Sequence, residues 1–198
     1  DRGYQPFALR QPIAPRIREM GELLRLGVPI GASYLVEVTS FTFMAIFVAR
    51  FGTVAMASHQ ITSNLTGVVY MIALALANAT STLAAQAIGA GDPLRARAVS
   101  LTGLRIAMLL AGLTGLLIWL LRAPIAASYS SDASVIAATL PLLGALALFL
   151  VFDSLQTQIG YILRAYKIAT LPMVVCVLSM WGVGLGGGYL LTVSSDPA

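Results

Sequence analysis

Between Arg25 and Arg50 a run of about 24 residues holds a single acidic or basic side chain, Glu37. A run of that length is what an α-helix needs to cross roughly 30 Å of hydrocarbon. Similar apolar runs recur, with predicted spans at 26–51, 60–88, 101–121, 135–163 and 171–193. The predicted fold is therefore all-α, a polytopic membrane helix bundle of about five transmembrane helices. Composition agrees: 58% of residues are hydrophobic and 10% charged, where a soluble domain carries about 25% charged residues. A net charge of +4 does not point to nucleic acid, because the basic residues sit at span ends and not on a soluble face. One cysteine, Cys176, excludes a disulfide framework and a cysteine metal site. An enzyme is disfavoured: a membrane serine hydrolase needs its histidine within the bilayer, and His59 falls in a loop or at a helix start.

Residues 1–25 carry three prolines and five arginines and read as a linker ending in a short interfacial helix. Residues 194–198 read as a tail. The chain begins at Asp1 without a recognisable signal peptide, and is expected to be a piece of something longer. Span two is the most polar, with Ser63, Gly67, Tyr70, Asn78 and Ser81 near one face. The loop at 89–97, GAGDPLRAR, predicts a turn and a new helix start. Asp132 is placed to cap span four. Five glycines at the end of span five, Gly182, Gly184, Gly186, Gly187 and Gly188, predict close helix approach or local unwinding. If the N-terminal linker is cytoplasmic, ten of the twelve lysines and arginines fall on that side and only Arg50 and Arg122 on the other. This asymmetry predicts a multi-pass orientation with the linker inside.

Of eight acidic residues, only Glu37 and Asp153 lie inside spans. Counted from the span ends, each is about 11 residues, or roughly 16 Å, from the same membrane face. Two acids on different helices thus reach one depth. Helical neighbours of Glu37 include Ser33, Tyr34, Ser40 and Phe41; those of Asp153 include Phe149, Gln156 and Thr157. Oxygen groups suit a hard cation and ring faces suit an organic one. The bland reading is that each acid hydrogen-bonds across a helix pair as structural glue. Against it, no lysine or arginine is expected in a span interior to pair them, and intramembrane acids mark ion and substrate paths.

The segments GVPIGASYLVEVTSF, ASHQITSNLTGVVYMIALALANATSTLAAQAIGAGD and FDSLQTQIGYILRAYK resemble the multidrug and toxic compound extrusion (MATE) transporters, in the NorM-like branch. The resemblance runs from about Leu23 to Leu191. It implies a bacterial inner-membrane antiporter of twelve helices in two lobes, exchanging sodium or protons for cationic drugs. This chain would form most of the second lobe, with the lipid bilayer, the missing N-terminal lobe and small cationic organic molecules as partners. The resemblance assigns Glu37 and Asp153 to cation coupling, as sodium ligands if sodium is the ion, and places Tyr70 near the cation. Ser40, Phe149 and Gln156 are expected as further cavity residues. Phe149 stands where some relatives have tyrosine, and Ala73 where relatives often have proline, so span two is expected to be straighter. Two rival readings are a lipid-linked sugar flippase, which would need cationic residues in the cavity, and a non-transporting scaffold or gene remnant.

Overall fold

The computed structural model describes residues 17–187. The first part of the linker, Gly188 and the 194–198 tail lie outside the described residues. Six α-helices follow in order: α1 (Ile17–Ala49), α2 (Thr53–Gly89), α3 (Pro93–Leu120), α4 (Arg122–Tyr129), α5 (Ala133–Ala165) and α6 (Thr170–Val177). A π-helical segment, Leu178–Gly186, continues α6. No strand occurs among the described residues.

Four helices, α1, α2, α3 and α5, are long and apolar enough to cross a membrane, and Thr170–Gly182 is a shorter apolar helix. Five full spans were expected, so the described part of the fifth is short. The interfacial helix predicted before span one is not separate. It runs straight into α1, which at 33 residues is about 50 Å long and exceeds the hydrocarbon thickness. Pro29 lies inside α1 without ending it. The loops expected at 52–59 and 89–97 shrink to short turns, and the turn expected at 123–134 contains α4. α2 is one unbroken helix of 37 residues. The glycine-rich end of span five widens into the π-helix, a form of the expected unwinding.

Helix ends follow from local chemistry. α2 closes with Gly91 at φ 75. The Gly91 and Asp92 N–H groups donate back to the Ile88 and Ala87 carbonyls at 3.0 Å each, the paired bonds of a Schellman motif. Asp92 then caps α3, its carboxylate accepting from the Arg95 N–H at 2.9 Å, with Pro93 in the first turn. α5 closes in the same way, but its left-handed position is Lys167, at φ 61. The Lys167 and Ile168 N–H groups donate to the Arg164 and Leu163 carbonyls at 2.9 Å each. At the other end of α5, Asp132 accepts from the backbone N–H and the hydroxyl of Ser134 at 2.8 and 2.7 Å. These bonds hold the exposed Asp132 carboxyl below the usual carboxylate range, the side-chain bond most strongly.

Packing divides the helices in two groups. α2, α3 and α5 pack extensively on one another, with α4 folded against α5. Their core holds Ile118, Ala126, Leu143, Leu146 and Leu150. α3 presents a buried stripe of small residues, Ala96, Ser100, Gly103, Ala107, Ala111 and Gly115, which lets backbones approach closely where lipid supplies no hydrophobic drive. α1 packs mainly on α6 and the π-helix and touches α2 more lightly. A cleft between the two groups is left for the site.

The directions of the long helices are fixed by a few contacts. Tyr34, midway along α1, meets Tyr161 near the end of α5, and Glu22, near the start of α1, meets Lys167 just past the end of α5. Ser58 near the start of α2 meets Val135 at the start of α5. One end of the bundle therefore gathers Glu22, Arg95, Arg97, Arg164 and Lys167, and is called the basic end below.

Candidate functional site

Glu37 and Asp153 line two cavities in common, together with Tyr70 of α2. The cavity toward the basic end has a volume of about 260 Å³, and the one toward the opposite end about 630 Å³. The three side chains form a layer between two spaces. α1, α2 and α5 contribute to both, and α6 closes only the basic-end cavity through Leu171, Pro172, Val175 and Cys176.

The two cavities differ in chemistry. Around the basic-end cavity, oxygen or amide groups come from Ser33, Gln156 and Thr157, and rings from Tyr34 and Tyr161. The larger cavity adds Phe41 and Phe149 as rings, with His59, Gln60, Thr62, Ser63 and Thr66 as a polar wall on α2. His59 Nε2 and Ser63 Oγ lie 3.4 Å apart on that wall. Hard oxygens sit beside the carboxylate layer, and aromatic faces flank it on both sides. Such a lining can coordinate a small monovalent cation by oxygen and hold an organic cation against ring faces. Glu37, Asp153 and the Tyr70 hydroxyl are the groups in this lining that could hold such a cation.

Five of the six expected site residues, Glu37, Asp153, Tyr70, Phe149 and Gln156, line one or both cavities. Ser40 does not. It is 8% exposed, and its Oγ has no hydrogen-bond partner. The reason is angular: at 100° per residue Ser40 and Phe41 fall on opposite sides of Glu37. Phe41 turns to the cavity, while Ser40 shares the buried stripe of α1 with Val36.

A second expectation needs correction. No cationic side chain was expected near the acids, yet Arg164 lines the basic-end cavity with Glu37 and Asp153. It was assigned to a loop at 164–170, whereas α5 extends to Ala165 and holds Arg164 in its last turn. Tyr161 lines the same cavity. The signal was present in the spacing: Asp153, Gln156, Thr157, Gly160, Tyr161 and Arg164 recur at three and four residues and share one face of α5. His59, read as lying in a loop or at a helix start, lies in the second turn of α2 and faces the larger cavity.

Comparison with known proteins places this geometry. The chain is 42% identical over 190 residues to the probable multidrug resistance protein NorM of Aromatoleum aromaticum, covering 96% of this chain and 41% of that protein. It is 40% identical over 178 residues to the probable multidrug resistance protein NorM of Chromobacterium violaceum, covering 90% of this chain and 38% of that protein. The chain thus spans about two fifths of the length of the curated relatives it matches. Among solved structures, it is similar to a MOP superfamily transporter from Pyrococcus furiosus, described as having a binding pocket of reverse polarity that suggests a different function. That likeness has a TM-score of 0.74 at 19% identity, over 79% of this chain and 35% of that one, and bears on fold alone. The family model MatE matches residues 29–190. With that match, and with four long apolar helices around a shared carboxylate layer, this multi-pass membrane chain belongs to the MatE family.

Proposed function

We propose that the chain supplies most of one lobe of an antiporter that exports cationic xenobiotics in exchange for sodium or protons. The observation that carries this reading is the layer of Glu37, Tyr70 and Asp153 between two cavities. A site reached from two spaces, with acids from two helices, is what exchange of one cation for another requires. The names of the relatives support multidrug efflux. Charge on the walls supports a cationic cargo. The larger cavity has only the two carboxylates as charged groups, and the smaller sets Arg164 against them. A carrier of anionic lipid-linked sugars would need the opposite balance. The distribution of lysine and arginine supports a cytoplasmic basic end, and the bacterial sources of the relatives support the bacterial inner membrane. Transport, and not catalysis, is the activity. The other lobe is a required partner, because the chain spans about two fifths of the length of those relatives.

The test uses the full-length protein in liposomes. An imposed sodium or proton gradient is expected to drive uphill movement of a lipophilic cation such as ethidium, with the ion running down its gradient. No movement under either gradient, from protein that is folded by its elution profile, would favour the scaffold or remnant reading.

A further inference from the structure

Beneath the carboxylate layer, at the basic end, three side chains join α1 to α5. The Tyr34 and Tyr161 hydroxyl oxygens are 2.8 Å apart, although the residues are 127 apart in sequence. The Arg164 guanidinium lies over both rings, 4.5 Å from the centroid of Tyr161 and 5.5 Å from that of Tyr34. Further out, Lys167, just past the end of α5, and Glu22, twelve residues before Tyr34 on α1, approach to 3.8 Å. That outer pair is 81% and 64% exposed, so it adds little hold. The tyrosine and arginine cluster sits between it and the carboxylates, and lines the basic-end cavity with them.

We propose that Tyr34, Tyr161 and Arg164 are a gate that closes the basic-end cavity by fastening α1 to α5. The hydroxyl bond is the fastening, and the guanidinium stacked on both rings fixes their planes and puts a positive charge in the passage. The packing explains why the seam can open here. α1 packs chiefly on α6 and the π-helix, while α5 belongs to the tightly packed group with α2 and α3. Apart from these side chains, α1 and α5 make few contacts, so parting the tyrosines opens the seam between them while α1 keeps its lighter contact with α2. Opening would join the basic-end cavity to the aqueous side and leave Glu37 and Asp153 reachable from it. The inference deepens the transport reading above and rests on it for the consequence to flux, but closure can be measured without cargo or ion.

Cys176, the single cysteine of the chain, lies on the α6 wall of that cavity and serves as the reporter. In the full-length protein, with any cysteine outside this segment replaced by serine, Cys176 is labelled by a membrane-impermeant methanethiosulfonate in inside-out vesicles. Tyr34→Phe and Tyr161→Phe each keep the ring and delete the bond, worth about fivefold for a typical hydrogen bond. Each is expected to accelerate labelling by about that factor, and the double variant to go no faster than either single one, because both remove the same bond. Arg164→Lys, which keeps the charge and gives up planar stacking, is expected to accelerate labelling severalfold and carries the test if a phenylalanine variant fails to reach the membrane. Labelling rates equal to wild type, effects of the two tyrosine variants that multiply, or acceleration only in right-side-out vesicles would each overturn the gate. A variant with fast labelling and no efflux would leave the gate standing and count against the transport reading alone.

Discussion

Glu37→Gln and Asp153→Asn, each in the full-length protein, are expected to reduce drug efflux to the level of cells lacking the transporter. Both carboxylates face both cavities, so either change removes a charge from the one layer that an ion or an organic cation meets from both ends. Removing one partner of a desolvated charge pair costs about 3–5 kcal/mol, or roughly 100-fold or more in cation affinity. Folding is spared, because an amide of the same shape is cheaper to hold in a membrane than a carboxylate. Both variants should therefore reach the membrane in normal amount, as immunoblots of membrane fractions would report. The double variant should be no worse than either single one, since a site lost once cannot be lost again. Ser40→Ala is the matched control: it lies three residues from Glu37 but off the cavity wall, and should leave efflux unchanged. Drug resistance at wild-type level in both carboxylate variants would remove the site.

The largest expected effect on stability comes from Gly115→Ala in α3. A Cβ at Gly115 would lie 2.6 Å from the carbonyl oxygen of Ala147 in α5. The obstructing atom is backbone, so no rotamer change relieves it and α3 must move away from α5. Overpacking of this kind costs about 1–3 kcal/mol, and a drop in melting temperature of roughly 5 °C follows for a protein of this size. Gly112, one turn earlier on the same helix, meets nothing within 4 Å. Gly112→Ala should leave melting unchanged or raise it slightly, since alanine favours helix by up to about 1 kcal/mol. The pair isolates close helix approach from helix propensity. Gly103 is a second close approach but of a different kind, since a Cβ there would meet side chains, that of Thr80 and, within 2.9 Å, Gln158 Nε2. Melting of Gly115→Ala equal to that of Gly112→Ala would show that α3 and α5 are not held at this distance.

Much of the fold was legible because lipid leaves the backbone only one way to satisfy itself. Long apolar runs had to become helices, and α1, α2, α3 and α5 did. The ends were less legible. Polarity marks where a chain leaves the hydrocarbon, whereas a helix stops only where its hydrogen bonds stop. α1 and α5 therefore run past their apolar runs, to Ile17 and Ala165. That overrun is what hid Arg164, which lies outside the apolar run but inside the helix. Glu37 and Asp153 were legible because an acid in an apolar run has no bland neighbours to be confused with. Ser40 was misplaced because three residues along a helix can fall on either flank of a cavity, and the sequence does not say which flank is wall. The Tyr34–Tyr161 bond joins residues on different helices, and nothing local in the sequence records such a pairing.

In the proposed exchange, ion and cargo compete for the layer of Glu37, Tyr70 and Asp153. The most direct test of that competition is the number of ions released when cargo binds to the purified full-length protein. Titration with tetraphenylphosphonium by calorimetry, in two buffers of different ionisation enthalpy, counts protons, and equilibrium dialysis with radioactive sodium counts that ion. The expected result is release of about one proton or one sodium ion per cation bound, lost in both Glu37→Gln and Asp153→Asn. Tetraphenylphosphonium binding that releases neither ion, with an affinity indifferent to pH and to sodium, would contradict it.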